Sequence, residues 1–210
     1  MPAAGQASQK GWITVGFDQA VWIPCLPVFP DGEDRKSWAQ IYARHWWDVS
    51  GLPYGKRDVA ALRGSLAAVH EVIYETLPCH MALIHLPGPR AIPLPVCFGI
   101  WPADGDRTTQ LRLLTHADEQ DVIRPPIVEE NSAEKLGSGL KSLCYLPGPD
   151  DSVSACVNYA WRSEELQTAV RMFTSCRDLG RLQLAMPDLD KLTQVISFIP
   201  RPPAADDQPL

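Results

Sequence analysis

Residues 153–162 have the sequence VSACVNYAWR, and this stretch decides the fold class. Its larger or apolar side chains recur at every second position, namely at Val153, Ala155, Val157, Tyr159 and Trp161. Because neighbouring residues of a strand point to opposite faces of a sheet, this period predicts a strand with one face in the core. Apolar runs at residues 140–146 and 168–174 lie on either side of it, separated by turn-forming residues. Together the three runs predict an antiparallel meander.

Two consecutive helices are predicted before this meander. Residues 38–49 repeat bulky side chains at helical spacing, with Ser37 expected as the N-terminal cap and Gly51 as the stop. Residues 59–77 place apolar side chains three and four positions apart on one face, and Asp58 is expected to cap them.

The two ends of the chain complete the predicted architecture. Short extended runs at residues 12–17 and 21–23 predict a strand hairpin. Residues 179–186 and 189–198 predict C-terminal helix, with Asp178 as a cap. Since strands and helices are segregated along the chain, the predicted class is α+β, with the helices packed on one mostly antiparallel sheet.

The length of 210 residues favours one elaborated domain over two. We expect a flexible arm over residues 1–10, a single α+β domain over 11–200, and a disordered tail rich in proline and aspartate over 201–210.

Composition excludes several classes of protein. A hydrophobic fraction of 45% and a charged fraction of 21% exclude a wholly disordered chain, and the net charge of −6 argues against a protein that coats nucleic acid. We find no apolar run of the roughly 18 residues that span a bilayer, and no apolar export leader, so no membrane partner is expected and a cytoplasmic location is predicted. The six cysteines lack a C-x-x-C pair and are expected to be reduced.

The tryptophans are candidate binding residues. Trp46 and Trp47 are consecutive on a predicted helix, about 100° apart, so both cannot easily face one core stripe. Trp22 likewise points away from Val21. Large aromatic side chains that a core does not absorb tend to anchor interfaces or line pockets. The alternative is a broad helix–sheet interface that absorbs all of them.

Charged residues supply a second set of candidates. Six acidic side chains lie between residues 118 and 134 against the single base Arg124, and Glu129 and Glu130 among them are expected to meet a basic partner. Asn158, Arg162 and Arg171 are predicted on the polar face of the meander. There arginine can grip an anionic group, although a plain solvent-facing surface is the alternative.

Catalytic and metal-binding patterns are weak. Cys79 is the candidate nucleophile, but His80 next to it points to the opposite face of an extended chain, so the base would come from elsewhere, such as His45, His85 or His116. The histidines show neither H-x-x-x-H nor H-E-x-x-H spacing, and we expect no metal and no cofactor.

Three functions stay open on this evidence. The first is a non-catalytic binding or adaptor module that engages a protein partner or assembles with itself. The second is a small cysteine-dependent hydrolase or transferase acting on an anionic or acyl substrate. The third is a structural subunit of a larger assembly. The identity of any small-molecule ligand is left open.

Overall fold

A computed structural model describes residues 10–29, 33–77 and 79–201. The predicted arm up to residue 9 and the predicted tail from residue 202 lie outside these ranges. The described chain contains the following strands and helices in order: β1 (Gly11–Val15), β2 (Trp22–Cys25), α1 (Arg35–Ser50), α2 (Lys56–Thr76), β3 (Met81–His85), β4 (Leu94–Pro102), α3 (Arg107–Leu114), β5 (Ile127–Ala133), β6 (Gly137–Pro147), β7 (Val153–Ser163), β8 (Thr168–Cys176), α4 (Leu179–Thr193) and β9 (Ile196–Pro200).

The architecture is α+β, as the sequence predicts. Seven strands form a mostly antiparallel sheet of order β2-β3-β4-β8-β7-β6-β5, and β1 and β9 form a separate two-stranded sheet. The predicted meander is confirmed as the neighbouring strands β6, β7 and β8. The chain divides into two compact units, which are described separately. Unit 1 holds β1, residues Ile100–Phe173, α4 and β9, and unit 2 holds Phe17–Gly99 with Thr174–Cys176.

Unit 2 contains the two predicted helices, which begin at other residues than expected. The carboxylate of Asp34, not the hydroxyl of Ser37, caps α1, because it accepts a hydrogen bond from the Ser37 backbone N–H at 2.7 Å. Helix α1 ends where predicted, at Gly51, whose φ of 66° is the left-handed conformation that glycine adopts without a Cβ clash.

The N-terminal cap of helix α2 is Gly55 rather than Asp58. The Asp58 carboxylate reaches back to accept from the Gly55 backbone N–H at 2.7 Å, so it acts three residues inside the helix. The predicted apolar face is buried through Leu62, Leu66 and Ile73. Burial of each such side chain contributes about 1.5–3 kcal/mol.

The predicted N-terminal strand hairpin is wrong. Strand β1 pairs with β9 in unit 1, whereas β2 pairs with β3 in unit 2. Between β1 and β2, the backbone N–H groups of Val21 and Trp22 both donate to the Asp18 carbonyl oxygen in a turn. The predicted connection, Asp18-Gln19, is not the Asn-Gly or Gly-X pair that a tight two-residue hairpin favours, and each strand takes a partner that is distant in sequence.

Unit 1 is built on the hairpin of β6 and β7, whose register pairs Ser142 with Asn158 and Cys144 with Cys156. Gly139 is required in β6, since a Cβ there would lie 2.3 Å from the Ala160 carbonyl oxygen and 2.5 Å from the Trp161 ring. Helix α3 packs on β6 and β7, and α4 packs on β7. The C-terminal helix of the predicted fold is therefore confirmed.

The boundaries of that last helix differ from the prediction. Residues 179–193 form one continuous helix through Pro187, capped by the Asp178 carboxylate at the Arg181 backbone N–H. Residues 196–200 form β9, although the sequence predicts helix up to residue 198. Ile196 and Ile199 would share a helix face, but the backbone hydrogen bonds that β1 offers decide the outcome.

Candidate functional site

The three tryptophans predicted to face a partner are buried in unit 2. Trp22, Trp46 and Trp47 are only 3–4% exposed, which corrects the expectation that the core does not absorb them. The indole N–H of Trp46 donates to the Leu86 carbonyl oxygen at 2.7 Å, which satisfies its polar group inside the core. Trp22 packs against His85, with 4.8 Å between ring centroids. These rings are core residues and offer no surface for a partner.

The residues of the alternative cysteine centre are not assembled. The Cys79 thiol contacts the Ile73 carbonyl oxygen at 3.9 Å, and a hydrogen bond with Cys97 lowers its pKa while burial opposes that shift. His85 follows Cys79 by six residues along an extended segment, a span of about 20 Å. His45 is exposed on α1, and its ring contacts Trp46. We find no nucleophile–base pair around Cys79 in the described part of the chain.

Arg162, predicted to clamp an anion, holds the loop before α3 instead. Its guanidinium donates to the carbonyl oxygens of Asp104 and Gly105 at 3.1 and 2.9 Å, and to the Gln110 side chain at 3.1 Å. It also donates to the Glu164 carboxylate at 2.9 Å. With 8% of its side chain exposed, Arg162 is a buried structural group rather than a ligand contact.

Asn158 and Arg171 share one face of the meander, as predicted, but that face is not open to solvent. Asn158 is fully buried, its amide donates to the Ser142 hydroxyl at 3.2 Å, and its oxygen accepts from Arg171 at 2.6 and 3.1 Å. The Ser142 hydroxyl in turn donates to the Thr115 carbonyl oxygen, and the Arg171 guanidinium lies 4.3 Å from the centre of the Phe173 ring. The chain around the end of α3 covers this polar network.

A cavity of about 160 Å³ opens beside the network. Its lining includes both cysteines of the hairpin, together with the pair formed by His116 and Glu119, whose ring nitrogen and carboxylate are 3.1 Å apart. His116 has a φ of 54°, the left-handed conformation that residues other than glycine rarely adopt. Thiol, imidazole and acid are therefore brought to one cavity, a grouping that the sequence pattern does not predict.

The chemistry of this cavity does not favour nucleophilic attack by a thiol. The Cys144 thiol donates to the backbone oxygen of His116 at 3.7 Å. Burial raises the pKa of both Cys144 and Cys156 above the ordinary thiol range, although Arg171 opposes the shift. Both side chains are thus protonated at neutral pH, when a reactive cysteine must be a thiolate.

One sequence signal could have found part of this cavity. The strands predicted at 140–146 and 153–162 flank a turn centred near residue 150, and an antiparallel hairpin centred there sets Cys144 opposite Cys156. The arrival of His116 and Glu119 has no such local signal, because it depends on how the chain after α3 crosses the sheet.

The acidic residues Glu129 and Glu130 remain at the surface. Both are exposed on β5, which is an edge strand of the seven-stranded sheet and pairs with β6. Lys141 lies opposite Glu129 on β6, but its ammonium group pairs with Asp190 at 2.8 Å. Within the described ranges neither glutamate has an ion-pair partner, and these are the predicted binding residues that stay accessible to a partner.

No protein family model matches the sequence, and no curated protein matches it. Among the described residues we find no group of three or more His, Cys, Asp or Glu side chains placed to hold a metal ion. In that same part of the chain, no helix combines the length and apolar character needed to cross a membrane. The class that the fold defines is an α+β protein with an acidic sheet edge.

Proposed function

We propose that this protein is a non-catalytic binding module that captures an extended, basic segment of a protein partner along strand β5. The observation that carries the proposal is the position of β5: it is a terminal strand of the sheet and it bears two exposed, unpaired glutamates. Extended peptides commonly bind by adding a strand to such an edge, where main-chain hydrogen bonds supply affinity.

The backbone of β5 supports this mode of binding. The Gln194 side chain donates to the Ser132 carbonyl oxygen at 3.2 Å and accepts from the Glu134 backbone N–H at 3.1 Å, on the outer side of the strand. Because alternate residues of a strand direct their N–H and C=O groups to the same side, those of Val128 and Glu130 also point outward. No described residue bonds to them, so one end of the edge is covered and the other is available.

Charge favours a basic partner over a second copy of this chain. In an antiparallel pairing of two β5 strands centred on Glu130, the Glu130 side chains of the two copies would lie opposite one another, and like charges opposite each other destabilise a sheet. A partner strand with basic residues would instead gain opposite-charge pairs. Glu129 and Glu130 lie on opposite faces of the strand, so two adjacent basic residues in the partner would reach both.

The proposal includes a cytoplasmic location. All six cysteines are free and four of them are buried, which suits a compartment that keeps thiols reduced.

Charge reversal provides the test. We expect Glu129→Lys with Glu130→Lys to abolish stoichiometric capture of a protein partner from native lysate at low salt. The double variant Glu33→Lys with Glu165→Lys changes the net charge equally at exposed sites elsewhere, and it should retain the partner. The proposal is contradicted if both double variants capture the partner as well as the wild type does. It is also contradicted if neither a partner nor a self-oligomer is recovered.

Two further measurements locate the contact on the strand. Amide hydrogen exchange at Val128 and Glu130 should slow in the complex, because a partner strand takes up their outward N–H groups. Val128→Pro removes one outward donor without touching the ladder to β6, so it should weaken capture while the fold is kept. Light scattering that reports a stable homo-oligomer unaffected by the charge reversal would favour the structural-subunit alternative.

A further inference from the structure

Unit 2 carries a cleft of about 600 Å³ between α1 and α2 that the binding of a protein segment at β5 does not use. Its volume lies within the range of about 300–1,000 Å³ that small-molecule sites occupy. The residues that line it come from the middle of α1, the connection and the start of α2: Gln40, Arg44, Tyr54, Gly55, Lys56, Val59, Ala60 and Arg63.

Helical spacing explains why these side chains converge. Gln40 and Arg44 are four positions apart on α1, so they stand one above the other on the same face. On α2, Lys56 and Arg63 are two turns apart and share a face with Val59 and Ala60 between them. Arg63 on α2 donates to the Gln40 side chain on α1 at 3.3 Å, so a hydrogen bond links the two helices at the cleft.

The cleft is strongly cationic for an acidic protein. It is lined by three basic side chains and by no carboxylate, although the chain as a whole has a net charge of −6. Arg44, Lys56 and Arg63 are exposed and have no ion-pair partner among the described residues. The carboxylates of Asp48 and Asp58 accept from Tyr54 and Gly55 at the margin of the cleft, but the charged side chains that line the space itself are all basic, which favours an anion.

The rest of the lining suits an apolar or planar group. The Tyr54 hydroxyl donates to the Asp48 carboxylate, and its ring centroid lies 5.6 Å from that of Trp47, so the ring is held in place at one wall. Val59 and Ala60 form an apolar strip between the two α2 cations. Inorganic phosphate alone would leave these surfaces unused.

We infer that this cleft binds a phosphate-bearing small molecule with a planar apolar group, of the nucleoside phosphate class. Arginine and lysine hold the phosphate oxygens through charge-assisted hydrogen bonds, and arginine can do so with two parallel bonds. Tyr54 and the apolar strip contact the planar group. The assignment is independent of β5, because every residue it uses lies on α1, α2 or their connection.

Calorimetric titration of the full chain with ATP in the presence of a metal chelator tests the inference. We expect saturable binding that Lys56→Glu and Arg44→Glu each weaken at least tenfold. Arg57→Glu is the matched control, since it reverses the same charge one position away on a residue that does not line the cleft, and it should change affinity less than twofold. Thermal unfolding of every variant verifies that the fold is kept. Neutral variants Lys56→Gln and Arg44→Gln should show an intermediate loss.

Pyrophosphate and adenosine separate the two parts of the site. Pyrophosphate should bind more weakly than ATP, and adenosine should not bind at concentrations that saturate with ATP. The inference is overturned if ATP gives no heat at roughly millimolar concentration, if Arg57→Glu weakens binding as much as Lys56→Glu, or if pyrophosphate binds as tightly as ATP. A single-stranded oligonucleotide that binds more tightly than ATP would also overturn it.

Discussion

Trp46 in unit 2 and Arg162 in unit 1 have unlike side chains, yet both donate hydrogen bonds to backbone carbonyl oxygens of loops. The indole N–H of Trp46 satisfies the Leu86 carbonyl oxygen, and the guanidinium of Arg162 satisfies the carbonyl oxygens of Asp104 and Gly105. Both residues are conspicuous in the sequence as candidates for binding. The structure uses both to satisfy backbone groups of loops, because a carbonyl oxygen that folding removes from water needs a donor.

The difference between them lies in charge. Arg162 brings a full positive charge that Glu164 balances, whereas Trp46 brings a neutral donor into an aromatic cluster. Because Arg162 is charged and satisfies several acceptors, its substitution should lower the free energy of unfolding more than substitution of Trp46.

The largest expected effect tests the charged case. Arg162→Met keeps most of the side-chain length but removes donors from two carbonyl oxygens and from Gln110, so it should lower the free energy of unfolding by about 2–4 kcal/mol. Arg177→Met, at an exposed arginine of the same unit, should change it by less than about 0.5 kcal/mol. Urea unfolding measures both, and equal effects would remove the distinction between a buried and a surface guanidinium.

A smaller effect tests the neutral case within one helix. Trp46 and Trp47 are equally buried at 3% exposed, but the Trp47 indole N–H has no partner among the described residues. Both Trp→Phe changes remove similar volume, and only Trp46→Phe also leaves the Leu86 carbonyl oxygen without its donor. Trp46→Phe should therefore be more destabilising by about 1–2 kcal/mol. The same loss in both variants would show that the hydrogen bond adds nothing.

The smallest expected effect concerns His70, a titratable residue of unit 2 whose ring packs among aromatic side chains. His70 packs on Phe29, with centroids 5.0 Å apart, and its Nε2 lies 2.9 Å from the Leu26 carbonyl oxygen. Burial lowers the pKa of His70, the Leu26 bond raises it, Arg35 lowers it further and Glu75 raises it. Because the folded state favours the neutral ring, its contribution is complete above the ordinary histidine pKa of about 6.5.

Stability should then fall as the pH drops below about 6.5, and the fall should stop once the pH is below the lowered folded-state pKa. His70→Gln keeps a donor for Leu26 but does not titrate. Between about pH 7 and 5, the unfolding free energy of this variant should decrease less than that of the wild type. Parallel pH profiles for the two proteins would rule out His70 as the source.

Features that depend on local pattern were predictable from the sequence. The alternation in residues 153–162 identifies β7, Gly51 marks the end of α1, and Asp178 caps α4 as expected. In each case the information lies within a few neighbouring residues, as caps and periodicity require.

For the candidate sites too, the sequence identifies individual residues, whereas their arrangement depends on the tertiary structure. The sequence points to Glu129 and Glu130 by composition alone, but their position on a terminal strand requires the full strand order. The cationic cleft is not predictable from the sequence, because its lining comes from two helices and only their packing brings Arg44 and Lys56 to one space.

The sequence by itself determined the α+β class, the meander, the end of α1 at Gly51 and the cap of α4 at Asp178, because these follow from side-chain periodicity and local hydrogen bonds. Only the tertiary structure decided that β1 pairs with β9, and that the tryptophans and Arg162 face inward. A period of two specifies which side of a strand is apolar but not which strand accepts its hydrogen bonds. Whether a polar side chain is buried depends on which carbonyl groups the folded chain brings to it.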